Sequence, residues 1–209
     1  MGYSHIKKCN QISKTLSVIT RLKNFLPKWT LITLYNSLIL PHLTYGIVAW
    51  GNANAYLLKR MFILQKRAIR VISGSRYNSH ANPIFKKLNL MNLYDLFQLE
   101  CCKIYAKFCH KSLPPYITSQ IETTSTEHSY ETRNNLDILL PLTSTKIEEQ
   151  LIQFKVAKAW NSLPNNIKIF KERPTTLKTF CKSFKAFKIQ NYRTECLIRN
   201  CPNCHNRRP

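Results

Sequence analysis

The sequence predicts a mostly α fold, a helical bundle followed by a second helical region. Three observations predict it. Apolar residues recur at steps of three and four over long windows, the period of a helix packed on one side. Proline junctions such as Leu26-Pro27, Leu113-Pro114-Pro115 and Leu163-Pro164 close those windows. No internal repeat and no strand-rich block appears.

Taken in order, Ile6, Cys9, Ile12, Leu16, Ile19, Leu22 and Leu26 form the apolar stripe of a first helix that stops at Pro27. Thr30 is placed to cap a second helix, with Leu31, Leu34, Tyr35, Leu38 and Ile39 inward, and Pro41 kinks or breaks it. An apolar, aromatic stretch follows to Trp50-Gly51. The segment YLLKRMFILQKRAIRVISG, Tyr56 to Gly74, is the third long helix, with Gly74 as its stop. Asn82-Pro83 reads as a break, followed by helices over 84–88 and 93–110. Cys101, Cys102 and Cys109 fall within the helical pattern and read as core. Residues 118–146 are rich in Thr and Ser and read as a linker with room for one short strand. Ile147, Leu151, Phe154, Ala157 and Trp160 predict another helix, and TTLKTFCKSFKAFKIQNY from Thr175 a last one, basic and rich in Phe.

The third helix holds the strongest signal. At about 100° per residue, Lys59, Arg60, Lys66, Arg67 and Arg70 share roughly a third of the circumference. Large apolar residues fill the rest, and Ile63 and Gln65 are the two misfits. A solvated helix face ordinarily mixes charge signs; this one does not. Its surroundings match it. Residues 1–94 hold 14 Lys and Arg and no Asp or Glu, residues 95–149 hold 5 basic and 8 acidic residues, and residues 150–209 hold 13 basic and 2 acidic. The net charge of +22 points to a polyanionic partner. Lys and Arg on this helix, with Lys14 and Arg21 on the first, are the candidate phosphate contacts. Tyr56, Tyr77 and Trp50 lie close enough in sequence to stack on bases or sugars; core packing is the alternative for each.

Other chemistry is sparse. Metal-dependent nucleotide chemistry needs paired carboxylates, and the chain has two Asp, Asp95 and Asp137, far apart. Four Gly leave no phosphate-binding glycine loop and no dinucleotide fingerprint. The tail CLIRNCPNCHNRRP offers Cys196, Cys201, Cys204 and His205 as zinc ligands, through a C-x2-C step that zinc favours. Against zinc, the first gap is long and the last two candidates are adjacent, so a basic tail with incidental thiols stays open. No other cofactor is expected. The N-terminus lacks the apolar run of a signal peptide, no stretch is long and apolar enough to span a membrane, and eight scattered Cys read as reduced, intracellular thiols.

LYNSLILPHLTYGIVAWG (Leu34 to Gly51) followed by LQKRAIRVISG (Leu64 to Gly74) resembles the region just downstream of the catalytic palm in reverse transcriptases of LINE-type, non-LTR retrotransposons, jockey-like ones especially. HIKKCNQISKTLSVITRLKNFLP resembles the lead-in helix of that family. LPPYI (Leu113 to Ile117), YETRN (Tyr130 to Asn134), AWNSLPNNIK (Ala159 to Lys168) and the Phe/Lys helix resemble its later landmarks, in order. The likeness covers about His5 to Tyr192. It implies a thumb-like helical bundle over 1–76 that grips template–primer duplex, a helical continuation over 82–117, the polar linker 118–146, basic C-terminal helices over 147–192 and the basic Cys-containing tail 193–209. It also implies that the catalytic carboxylates of this RNA-directed DNA polymerase lie in a palm upstream of the chain. The chain is then expected to bind nucleic acid without polymerising, as a truncated copy or a frame begun at an internal Met. The competing readings are an independent helical module that docks on an acidic protein or membrane surface, and a relic without function.

Overall fold

The computed structural model describes residues 2–51, 55–110, 112–118, 137–168 and 176–193. The fold is mostly α: among the described residues extended pairing is limited to a bridge at Ile138. The helices are α1 (Gly2–Leu22), α2 (Lys28–Leu34), a π-helical turn (Tyr35–Ile39), α3 (Leu40–Thr44), α4 (Ile47–Trp50), α5 (Ala55–Ser73), α6 (Ala81–Leu88), α7 (Leu93–Cys109), α8 (Pro115–Thr118), a 3-10 turn (Glu148–Gln150), α9 (Ile152–Asn161), α10 (Asn165–Lys168) and α11 (Leu177–Gln190). They divide into two compact units, residues 1–96 with 187–209, and residues 97–186.

In the first unit α1 packs on α5 and the two bury Cys9, Ile12 and Ile19 against Met61, Ala68, Ile69 and Ile72. Thr30 does not cap α2. The helix begins three residues earlier, with Pro27 extended at the N-cap and no side-chain cap bond, because proline suits the entry to a helix, where no amide donor is needed. Of the two outcomes expected at Pro41, a kink or a break, the structure shows a local distortion and no break. Pro41 cannot donate to Ser37, and the π-helical turn just before it absorbs the mismatch: the Leu40 amide donates to the Tyr35 carbonyl, five residues back. The helical path therefore continues to Thr44 and keeps Tyr35, Ile39 and Leu43 fully buried. Asn82-Pro83 is likewise not a break. Both sit in the first turn of α6, behind His80 at the N-cap.

Gln65, the polar misfit of the third helix, is fully buried. Its amide nitrogen donates to the Tyr35 hydroxyl at 2.9 Å and to the Met91 carbonyl at 3.0 Å. Its oxygen accepts the Leu93 amide at 2.9 Å. One side chain thus ties α5 to the π turn and to the start of α7. Asn92 completes that start: its side-chain oxygen accepts the Asp95 amide at 3.0 Å, an N-cap geometry. Asp95 in turn accepts hydrogen bonds from Asn92 and from the Tyr192 hydroxyl, which holds the end of the chain's last helical stretch in this unit. Gly74 stops α5 as expected, at φ +69, with the Ser75 amide closing back onto the Arg70 carbonyl at 3.0 Å.

The second unit is built on aromatic contacts. Tyr105 packs against Trp160 with ring centroids 4.5 Å apart, and Trp160 against Phe180 at 5.9 Å. Cys101 and Cys102 are buried among them, and Cys109 is half-buried. Ile147 and Leu151 do not join α9. Both are exposed, since Leu151 is the extended N-cap of that helix and the 3-10 turn precedes it. The buried Lys168 donates to Asp137 at 2.6 Å and to the Asn161 carbonyl at 3.0 Å, and Asn161 pairs with both backbone groups of Ile138 at 2.9 Å.

Two predictions follow from these cores. Gln65→Ala leaves a buried hydroxyl, carbonyl and amide unpaired, and should cost roughly 3 kcal/mol or more in urea unfolding. Second, burial pushes the Tyr35 hydroxyl up to about 12 from 10.0 and the Cys101 thiol up to about 12 from 9.0. Both hold their protons to higher pH folded than unfolded. The stability they contribute is intact below the unfolded values and lost as pH rises through about 12. Melting temperature should fall along that alkaline limb, and Tyr35→Phe should make the limb shallower.

Candidate nucleic-acid interface

The sequence of α5 folds so that its buried side is defined by Met61, Gln65, Ala68, Ile69 and Ile72. At about 100° per residue, the opposite side carries Lys59, Arg60, Lys66, Arg67 and Arg70. Lys59, Arg60 and Arg67 are exposed, and Lys66 and Arg70 are half-buried. Ile63 lies among them, half-buried.

Neutral oxygens and rings, not carboxylates, hold these cations in place. The Arg70 Nε donates to the Ser79 carbonyl at 2.9 Å. Arg67 Nη2 donates to the Tyr77 hydroxyl at 3.2 Å, with its guanidinium 5.8 Å from the Tyr77 ring centroid. Lys66 Nζ sits 4.6 Å from the centre of the Phe62 ring. Each contact fixes the stem or one edge of a cation and leaves its charge uncompensated. Among the described residues the ion pairs fall elsewhere: Lys103–Glu100, Lys168–Asp137 and Lys188–Asp95. The consequence shows in the titration of the cluster. Burial lowers the pKa of Lys66, and the nearby Arg70 and Lys59 lower it further. Burial lowers that of Arg70 as well; Tyr77 raises it and Arg67 lowers it. A polyanion lying on this face reverses the repulsive part of both shifts.

The cations suggested by sequence do not all converge. The five on α5 stand together. Arg60, at the edge of that face, is close enough to Cys9 on α1 to influence its thiol. Lys14 and Arg21 are exposed on α1, but at about 100° per residue they fall roughly opposite Ile12, Ile19 and Lys23, the side turned to α5. Lys23 stands there instead, and lines a groove of about 460 Å³ with Arg67, Arg70 and Tyr77. A second groove, of about 330 Å³, joins Lys66 and Arg70 to Arg193 and the start of α6. Lys23 was open to the same helical-wheel argument that placed Ile12 and Ile19. Arg193 was not, because it reaches this face from the far end of the sequence.

The aromatic candidates separate in the same way. Tyr77 and Tyr56 are exposed, at 68% and 66%. Trp50 is half-buried, and its indole nitrogen donates to the Tyr45 carbonyl at 2.8 Å. Lys8 covers its ring at 4.5 Å and donates to the same carbonyl at 3.0 Å. Trp50 is thus a packing residue under a lysine. Cys196, Cys201, Cys204 and His205 lie outside the described residues. Among the described residues no group of three His, Cys, Asp or Glu is placed to hold a metal, and no helix is long and apolar enough to cross a membrane.

Comparisons with protein-family models, with curated proteins and with solved structures find no match to this chain.

Proposed function

We propose that the protein binds duplex nucleic acid without reading its sequence, by laying the basic face of α5 along a phosphate backbone. The observation that carries this reading is a set of five cations on one side of a helix, two of whose guanidiniums are fixed by a carbonyl and a phenol. Guanidiniums anchored at one edge keep their remaining donors for phosphate oxygens. Phosphate contacts position a protein and carry no sequence information.

The likeness of Leu34–Gly51 and Leu64–Gly74 to the thumb region of LINE-type reverse transcriptases supports the same reading. It makes the chain a non-catalytic part of such an RNA-directed DNA polymerase, gripping a template–primer duplex while chemistry belongs to a palm it does not contain. An RNA–DNA hybrid is then the natural ligand.

Binding to an RNA–DNA hybrid should weaken with salt, with log K against log salt falling at a slope of about −4, shallower for an A-form duplex. Replacing Lys66, Arg67 and Arg70 together with Ala should flatten that slope by about 2–3. Tight binding to vesicles of anionic lipid, with none to the hybrid, would replace this reading with that of a surface-docking module.

A further inference from the structure

Arg70 lines two grooves of different chemistry. The first is polar: Lys66, Arg70 and Arg193 converge on it with Asn78 and Ser79. The start of α6 forms its edge, where the Ala81 and Asn82 amides add partial positive charge and Pro83 adds none. With three cations and no carboxylate in its lining, it suits a phosphate. The second groove is half apolar. Leu16 and Val71 form its wall, Lys23 and Arg67 its rim, and Tyr77 offers a flat ring. That ring is held by the Arg67 hydrogen bond yet remains 68% exposed. Space is also open at Gly74 in the same groove, where an added Cβ would meet nothing within 4 Å. Such a groove suits the face of a nucleobase.

We infer that the two grooves together take one unpaired nucleotide at the end of a duplex, its phosphate between Lys66 and Arg70 and its base on Tyr77. A base inside a duplex hides both faces in the stack, and the terminal pair of a blunt end exposes one face but keeps its base tied to its partner, so an unpaired nucleotide is the one free to turn its base into the second groove while its phosphate lies in the first. The protein therefore prefers a duplex with a single-stranded overhang to a blunt one, and the preference is tolerant of base identity because every base has a π face. This inference rests on the nucleic-acid reading above.

The test compares the full chain on a blunt hybrid and on the same hybrid carrying a one-nucleotide overhang of 2-aminopurine, whose fluorescence reports stacking. The overhang should bind about tenfold tighter than the blunt end, and its fluorescence should change on binding. Tyr77→Ala should bring the overhang-to-blunt ratio close to one, and Tyr77→Phe should keep it. Thr20→Trp, an exposed position on the rim of the second groove, should block the groove and abolish the ratio too. Equal affinities with unchanged fluorescence would overturn the inference and leave duplex binding standing. Absence of salt-dependent binding to either ligand would overturn both.

Discussion

The buried amide of Gln65 sets the first unit of this protein. Its two donors and one acceptor meet the Tyr35 hydroxyl in the π turn and a carbonyl and a backbone amide just before and at the start of α7. A buried amide left half-paired costs as much as a lost hydrogen bond or more. The three partners therefore admit essentially one rotational setting of α5 about its own axis. That setting places the cations on the side of the helix away from Gln65. The orientation of the charged face is a consequence of satisfying polar groups in the core.

The charged face is costly to keep. The first 94 residues have no carboxylate with which to neutralise their 14 cations, and burial, then the like charges of Arg70 and Lys59, already depress the Lys66 ammonium. The fold offsets the repulsion with contacts that do not consume charge: a carbonyl on Arg70, a phenol on Arg67, a phenyl face under Lys66. Such contacts order the side chains in advance, which lowers the entropy lost when a ligand arrives. Phe62 serves both roles, since its ring also packs against Phe85 and Tyr94. A face arranged in this way is stable alone and more stable beneath a polyanion.

Much of this was legible in the sequence, and the exceptions have physical causes. The long helices and the Gly74 stop followed from periodicity and from the need for a left-handed residue at the helix end. The basic stripe of α5 followed from the same wheel. Gln65 stood out only as a misfit, because its partners Tyr35, Met91 and Leu93 are distant along the chain. A rule about helix interiors makes Pro41 a kink or a break and Pro83 a break. The first is accommodated by a π turn and the second sits in a first turn, where no amide is required. Ile147 and Leu151 kept helical spacing without being helical, since spacing alone does not distinguish a helix from the exposed turn that leads into it. Lys14 and Arg21 lie on the side of α1 away from α5, while Arg193 lines a groove with Lys66 and Arg70 through tertiary structure alone.

The central claim, that one face of α5 meets a phosphate backbone, is tested most directly by lysine footprinting. The chain would be acetylated with and without an RNA–DNA hybrid, and the protection of each lysine read by mass spectrometry. The account predicts protection of Lys59, Lys66 and Lys23, with Lys14 and Lys178 as reactive in the complex as in the free protein. Protection spread evenly over all lysines, or confined to Lys14 and the last helix, would contradict it.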